Sequence, residues 1–230
     1  MKRVLSTLLL LSGILVLGCK KDPGYEELRR LADEKFQEIV QLTQSVACGD
    51  PSVWKIATIY QLGPVYLPVH PSFEERYNKL VEEYHVRRKR ADNAPDAPPI
   101  PYLDYFEAYP PIGIRCKNNK AELYYAKDMT LQEIEEELPK YFTEIVDFHK
   151  NDPCTNPNLW RIGYIRQDCK YIAVLYNENI RGEEFYKKGR QYESLYAQKR
   201  KLQASPPCSN QNDKPAKGVS CENGKPVIQY

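Results

Sequence analysis

Cys48-Gly-Asp-Pro51-Ser-Val-Trp54-Lys-Ile56-Ala-Thr-Ile59-Tyr-Gln61 returns as Cys154-Thr-Asn-Pro157-Asn-Leu-Trp160-Arg-Ile162-Gly-Tyr-Ile165-Arg-Gln167, 106 residues further along (154 − 48). Both tryptophans of the protein fall in register. Working outward at the same offset, Phe36-Gln-Glu-Ile39-Val40 matches Phe142-Thr-Glu-Ile145-Val146. On the other side, Gly113-Ile-x-Cys116-x-Asn118-x-Lys120-x-x-Leu123-x-Tyr125 matches Gly218-Val-x-Cys221-x-Asn223-x-Lys225-x-x-Ile228-x-Tyr230 at 105 (221 − 116). Self-similarity at a nearly constant offset is the signature of an internal repeat. Residues 25–125 and 131–230 therefore read as tandem copies of one unit, with 126–130 as the linker.

Each copy checks the other. Leu28, Leu31, Ala32, Phe36, Ile39 and Val40 follow the amphipathic spacing of a helix. In the second copy Thr130-x-x-Glu133 forms a capping box ahead of Ile134, Leu138, Phe142, Ile145 and Val146. Pro139 interrupts that pattern, which predicts a late start or a kink. A Cys-Pro turn follows, then strands at 53–60 and 64–69, matched by 159–165 and 171–176. Polar helices at 73–90 and 185–202 match at an offset of 112 (185 − 73), the six extra residues falling in a loop at 177–183. After proline-rich connections at 94–101 and 205–215, each copy ends in a hairpin turning at Asn118-Asn119 or Asn223-Gly224. The unit is α-β-β-α-β-β with antiparallel strands, an α+β fold.

The first 18 residues are a separate matter. Lys2 and Arg3 precede the apolar run of residues 8–17, and Leu17-Gly18-Cys19 closes it. A basic start, a short apolar stretch and a small residue define an export signal, too short to serve as a stable membrane span. The Leu-Gly-Cys ending resembles the lipobox of bacterial lipoproteins. That resemblance implies cleavage before Cys19, acylation of Cys19, and a tether at 19–24. Cys19-Lys20-Lys21-Asp22 is similar to the start of Bacteroidota lipoproteins, and the absence of an aspartate directly after the cysteine implies the outer membrane.

With Cys19 acylated, Cys48, Cys116, Cys154, Cys169, Cys208 and Cys221 remain. An even number in an exported chain reads as a disulfide framework, and six cysteines allow 15 pairings. Homologous positions should make homologous bonds, which predicts Cys48–Cys116 and Cys154–Cys221. Cys169 and Cys208 then pair by elimination. Each of the first two bridges closes a loop of about 70 residues, a constraint on the unfolded chain of roughly 4 kcal/mol.

Removal of residues 1–18 takes away Lys2 and Arg3 and no acid, leaving 31 basic and 31 acidic side chains. A nucleic-acid binder would carry a basic excess, so that class is set aside. There is no Cys-x-x-Cys, no His-Glu-x-x-His, no Gly-x-Ser-x-Gly, no phosphate loop and no dinucleotide fingerprint. No catalytic, cofactor or metal residue is assigned. Trp54 and Trp160 read as core side chains beside the bridges, against an aromatic ligand platform. His70, His85 and His149 read as surface or hydrogen-bonded residues. Glu133, Glu135, Glu136 and Glu137 suit the start of a helix, and Arg87 to Arg90 and Lys199 to Lys201 suit helix ends. Those basic runs would also suit anionic headgroups or lipopolysaccharide.

The best candidate binding surface is the proline-framed loop at 98–111, with Tyr102, Asp104, Tyr105, Phe106 and Tyr109. Taken together, the expectation is a lipid-anchored protein of the bacterial cell envelope. It acts as a non-enzymatic binding or assembly module for an envelope protein or glycan, without nucleic acid. The alternatives are an inhibitor or immunity protein against a toxin or protease, and a periplasmic hydrolase with a site assembled only in three dimensions.

Overall fold

The computed structural model describes residues 22–99, 109–208 and 215–230. The signal segment, Cys19 and the candidate loop residues Tyr102, Asp104, Tyr105 and Phe106 lie outside the described residues. Helices α1 (Tyr25–Thr43), α2 (Glu74–Asp92), α3 (Leu131–Val146) and α4 (Gly182–Leu202) are interleaved with strands. The strands are β1 (Lys55–Tyr60), β2 (Pro64–Val69), β3 (Gly113–Lys117), β4 (Lys120–Tyr124), β5 (Arg161–Gln167), β6 (Lys170–Tyr176), β7 (Gly218–Glu222) and β8 (Lys225–Gln229). Among the described residues they pair as four two-stranded antiparallel ribbons, β1–β2, β3–β4, β5–β6 and β7–β8. The protein is thus a mixed helix-and-sheet fold with antiparallel pairing, as its patterning predicts. No described helix is long and apolar enough to cross a membrane.

Local chemistry sets the turns. Asn118 and Asn119 take φ of 51° and 59°, and Asn223 and Gly224 take 51° and 74°. Two successive positive φ values make the turn whose twist matches that of the strands, and Asn and Gly reach them at least cost. β5–β6 turns the same way on Asp168 and Cys169, at 46° and 67°, which sequence propensity does not announce. The Cys169 conformation is held from outside the turn, since the Tyr196 hydroxyl accepts its N–H at 3.0 Å and its sulfur is bridged to Cys208.

Thr130 and Glu133 form the capping box, with the Glu133 carboxylate accepting the Thr130 N–H at 2.7 Å. Pro139 corrects the sequence expectation of a late start, because α3 begins at Leu131 and runs through Pro139 to Val146. Pro139 and Glu135, the residue whose carbonyl loses its donor, are both exposed, which puts the interruption on the solvent side of the helix. The buried side, Ile134, Leu138 and Ile145, is undisturbed.

By packing, the chain divides into two units, one of residues 22–39 and 78–99, the other of 40–77, 109–208 and 215–230. In the first, Leu28, Ala32 and Ile39 of α1 and Leu80, Tyr84 and Ala91 of α2 are buried. Phe36 meets Tyr84 at 5.7 Å between ring centres. Lys35 is nearly buried because its ammonium pairs with both Glu38 and Glu83, at 2.7 and 3.0 Å. In the second unit α3 and α4 pack together and over β5–β6. Ile134, Leu138 and Ile145 meet Phe185, Tyr192 and Leu195 in a core that also takes in Ile165, Val174 and Met129.

Three bridges join Cys48 to Cys116, Cys154 to Cys221 and Cys169 to Cys208, with Cα atoms 5.3, 5.3 and 5.2 Å apart. Beside the first two, Cys48 N donates to Asn119 O at 2.9 Å and Cys154 N donates to Gly224 O at 2.7 Å. Each bridge is followed by a 3-10 turn, Pro51–Val53 or Pro157–Leu159, capped by the side chain of Asp50 or Asn156.

Candidate functional site

Trp54 and Trp160 leave the two 3-10 turns as buried side chains, only 6% and 4% exposed. They are core residues and present no platform. The acidic start of α3 is equally committed. Glu133 caps the helix, Glu135 accepts from Gln203, Glu136 accepts from Gln132, and Glu137 pairs with Lys140. Three of these acids and Asp128, which accepts the Tyr125 N–H, line an open hollow of about 340 Å³ with Arg115. Several of the basic residues are tied down as well. Arg87 donates to Leu31 O, Arg88 pairs with Asp92, and Arg200 donates to Cys169 Sγ.

The histidines behave differently from one another. His70 Nδ1 accepts the Ser72 N–H at 3.2 Å. His149 is hydrogen-bonded, the second of the two expected states, but it is 1% exposed and only half satisfied. Its Nδ1 donates to the Asp152 carboxylate at 2.7 Å, while Nε2 has no partner among the described residues. Burial alone would raise the Asp152 carboxyl, but hydrogen bonds from His149 and Arg181 hold it below the usual aspartate range. Trp160, Phe148 and Phe185 surround the imidazole. A histidine enclosed by three aromatic rings is a packing element.

One concavity collects side chains that packing leaves over. On β1–β2, strand alternation puts Thr58 and Tyr60 on one face, opposite Tyr66 and Pro64. On α4, Glu183, Tyr186, Lys187 and Arg190 occupy i, i+3, i+4 and i+7, a single helical face. Both faces and Pro110 line a cleft of about 120 Å³. Two of its tyrosines are well exposed, Tyr60 at 58% and Tyr186 at 48%. Their hydroxyls are anchored, Tyr60 donating to Glu183 at 3.0 Å and Tyr186 to Glu178 at 3.2 Å. Tyr186 also packs edge-on against Tyr176 at 5.6 Å, so its ring stands in a fixed orientation.

The cationic side of the cleft is uneven. Arg190 stacks over the ring of Tyr109 at 4.9 Å. Of the five candidate residues of that loop, Tyr109 alone falls among those described, and it stands beside the cleft through this contact. Lys188 pairs with Glu144 at 2.6 Å. Lys187, its neighbour in sequence, makes no hydrogen bond or ion pair among the described residues. Burial pushes its ammonium below the usual lysine range, partly opposed by Glu183 and Glu184.

Among the described residues the cleft holds one carboxylate, Glu183, and no histidine. Among the described residues no cluster of His, Cys, Asp or Glu could hold a metal ion. The arrangement suits recognition: exposed ring faces, hydroxyls, one acid and one half-buried amine. Sequence reasoning missed Thr58, Tyr60, Tyr66, Glu183, Tyr186, Lys187 and Arg190 as a group. The two periodicities were visible separately, but nothing in either states that these faces meet. Comparison with family models, with curated proteins and with solved structures found no match.

Proposed function

We propose that this protein is a lipid-anchored binding module of a bacterial cell envelope, built from a duplicated α-β-β-α-β-β unit, and that the tyrosine-lined cleft is its recognition surface. The cleft carries the reading. Exposed aromatic side chains anchored through their hydroxyls give large contact area at little entropic cost, a recurrent property of binding surfaces. Lipid attachment through Cys19 follows from the Leu17-Gly18-Cys19 ending, and three disulfides suit a chain exported to an oxidising compartment.

Support for the duplication comes from bridges of sequence separation 68 and 67, each with the same backbone hydrogen bond beside it and the same capped turn after it. At the positions 112 residues before Glu183, Tyr186, Lys187 and Arg190 stand Pro71, Glu74, Glu75 and Asn78. The cleft chemistry therefore belongs to one copy of the helix. Such divergence fits a repeat in which scaffold positions persist while one surface specialises.

The test is retention of the purified full chain on isolated envelope fragments, compared with the Tyr60→Ala/Tyr186→Ala double variant. Saturable retention that the double variant loses, with an unchanged disulfide map, supports the reading. Equal retention by both proteins removes the cleft from the function.

A further inference from the structure

We infer that the cleft between β1–β2 and α4 takes a saccharide unit bearing a carboxylate, and that Lys187 is the residue that reads the charge. The inference rests on the proposed binding function and deepens it. Three features of the cleft converge on that ligand class.

The first is size. A cleft of about 120 Å³ falls below the roughly 300–1,000 Å³ of pockets that enclose drug-sized ligands. It accepts one ring-sized group at an open mouth, and it gives no channel for an acyl chain.

The second is the lining. Tyr60, Tyr66 and Tyr186 offer aromatic surface beside Pro64 and Pro110, a match for the apolar C–H face of a pyranose ring. Around them, the Thr58 and tyrosine hydroxyls and the Glu183 carboxylate supply donors and acceptors together. A polyhydroxylated ligand needs both kinds within one ring's reach.

The third is an available charge. The Lys187 stem is partly buried against the cleft while its ammonium reaches solvent, and it makes no hydrogen bond or ion pair among the described residues. Glu183, the nearest acid of the cleft, accepts the Tyr60 hydroxyl, and Arg190 is stacked on Tyr109. One unpaired cation with one charge fits a carboxylate.

Full chain purified in detergent is titrated by calorimetry with trigalacturonate, with its methyl ester, with glucuronate- and sialate-terminated oligosaccharides, and with an acidic peptide. At least one acidic saccharide should bind. Its binding should weaken about tenfold or more on esterification and in Lys187→Gln, the loss of one charge-assisted hydrogen bond, and persist in Lys187→Arg. Binding to the wild type should also fall with rising pH earlier than an ordinary lysine would require, and Lys187→Arg should abolish that dependence.

Acid and ester binding equally, or Lys187→Gln binding like wild type, overturns the charge reading. Binding of the acidic peptide alone overturns the saccharide. If no probe binds while Tyr60→Ala/Tyr186→Ala still loses envelope retention, this inference fails and the binding function stands. If retention is also insensitive, both fail.

Discussion

Trp54 and Trp160 stand 106 residues apart and are buried to almost the same degree, but different neighbours enclose them. Trp54 lies edge-on to His70 at 5.0 Å and to Phe73 at 6.1 Å. At the sequence positions that correspond to Phe73 and His70 stand Phe185 and Tyr176, whose rings stack on each other at 5.4 Å. The imidazole against Trp160 comes instead from His149, perpendicular at 5.5 Å. Its counterpart 106 residues earlier is Thr43, the last residue of α1, whose hydroxyl donates to Val40 O at 2.8 Å. Because α3 stops at Val146, the following turn carries His149 inward and Asp152 alongside it. One change of helix length thus replaces a local hydroxyl cap with a network that runs from the buried His149 through Asp152 to the exposed Arg181. The scaffold needs aromatic surface over the tryptophan, and the chain can deliver it from more than one place.

The largest expected effect tests that equivalence directly. Trp54→Ala and Trp160→Ala should each lower unfolding free energy by about 3–5 kcal/mol, the usual range for large buried aromatics. Trp160→Ala should cost more, since it also strips a wall from His149. Urea unfolding of the two variants decides, and equal costs would mean that the network adds nothing to the packing around it.

A smaller effect isolates the network. Asp152→Asn removes hydrogen bonds to a charged acceptor and should cost roughly 1.5–3 kcal/mol at neutral pH. The sign with pH follows from the lowered Asp152 carboxyl. Its contribution is fully present above the ordinary aspartate range and is lost as pH falls through the lower folded-state value. Wild type should therefore lose stability on acidification more steeply than Asp152→Asn. Parallel acid profiles, followed by circular dichroism, would break the assignment.

The smallest effect compares two buried phenols. Tyr192 donates to the Arg166 carbonyl, whereas the Tyr77 hydroxyl is buried with no partner among the described residues. Tyr192→Phe should cost about 1 kcal/mol, and Tyr77→Phe should be neutral or stabilising. Burial pushes the Tyr77 phenol up to about 12, while an unfolded tyrosine ionises near 10. Between those values the unfolded chain binds fewer protons, so stability falls as pH rises. Tyr77→Phe should flatten that alkaline decline, and thermal melts across the window measure it.

Much of the framework was legible because its signals are local. Thr130 and Glu133 stop and start hydrogen bonding within four residues. Asn118-Asn119 and Asn223-Gly224 accept left-handed conformations on their own. The bridges followed from position in the recurring pattern. Pro139 was misjudged because a proline on the solvent face of a helix costs less than one whose freed carbonyl is buried. Asp168-Cys169 escaped notice because Tyr196 and Cys208, both distant in sequence, hold the turn.

The sequence by itself determined the order of elements, the antiparallel hairpins and the cysteine pairs, all set by spacings of a few residues or by recurrence within the chain. Only the tertiary structure decided that His149 is enclosed, that Tyr60, Tyr66 and Tyr186 line one cleft, and that Lys188 finds Glu144 while Lys187 has no partner among the described residues. Those outcomes depend on which faces of a ribbon and a helix meet. Periodicity defines each face separately, and packing of residues more than a hundred positions apart chooses between them.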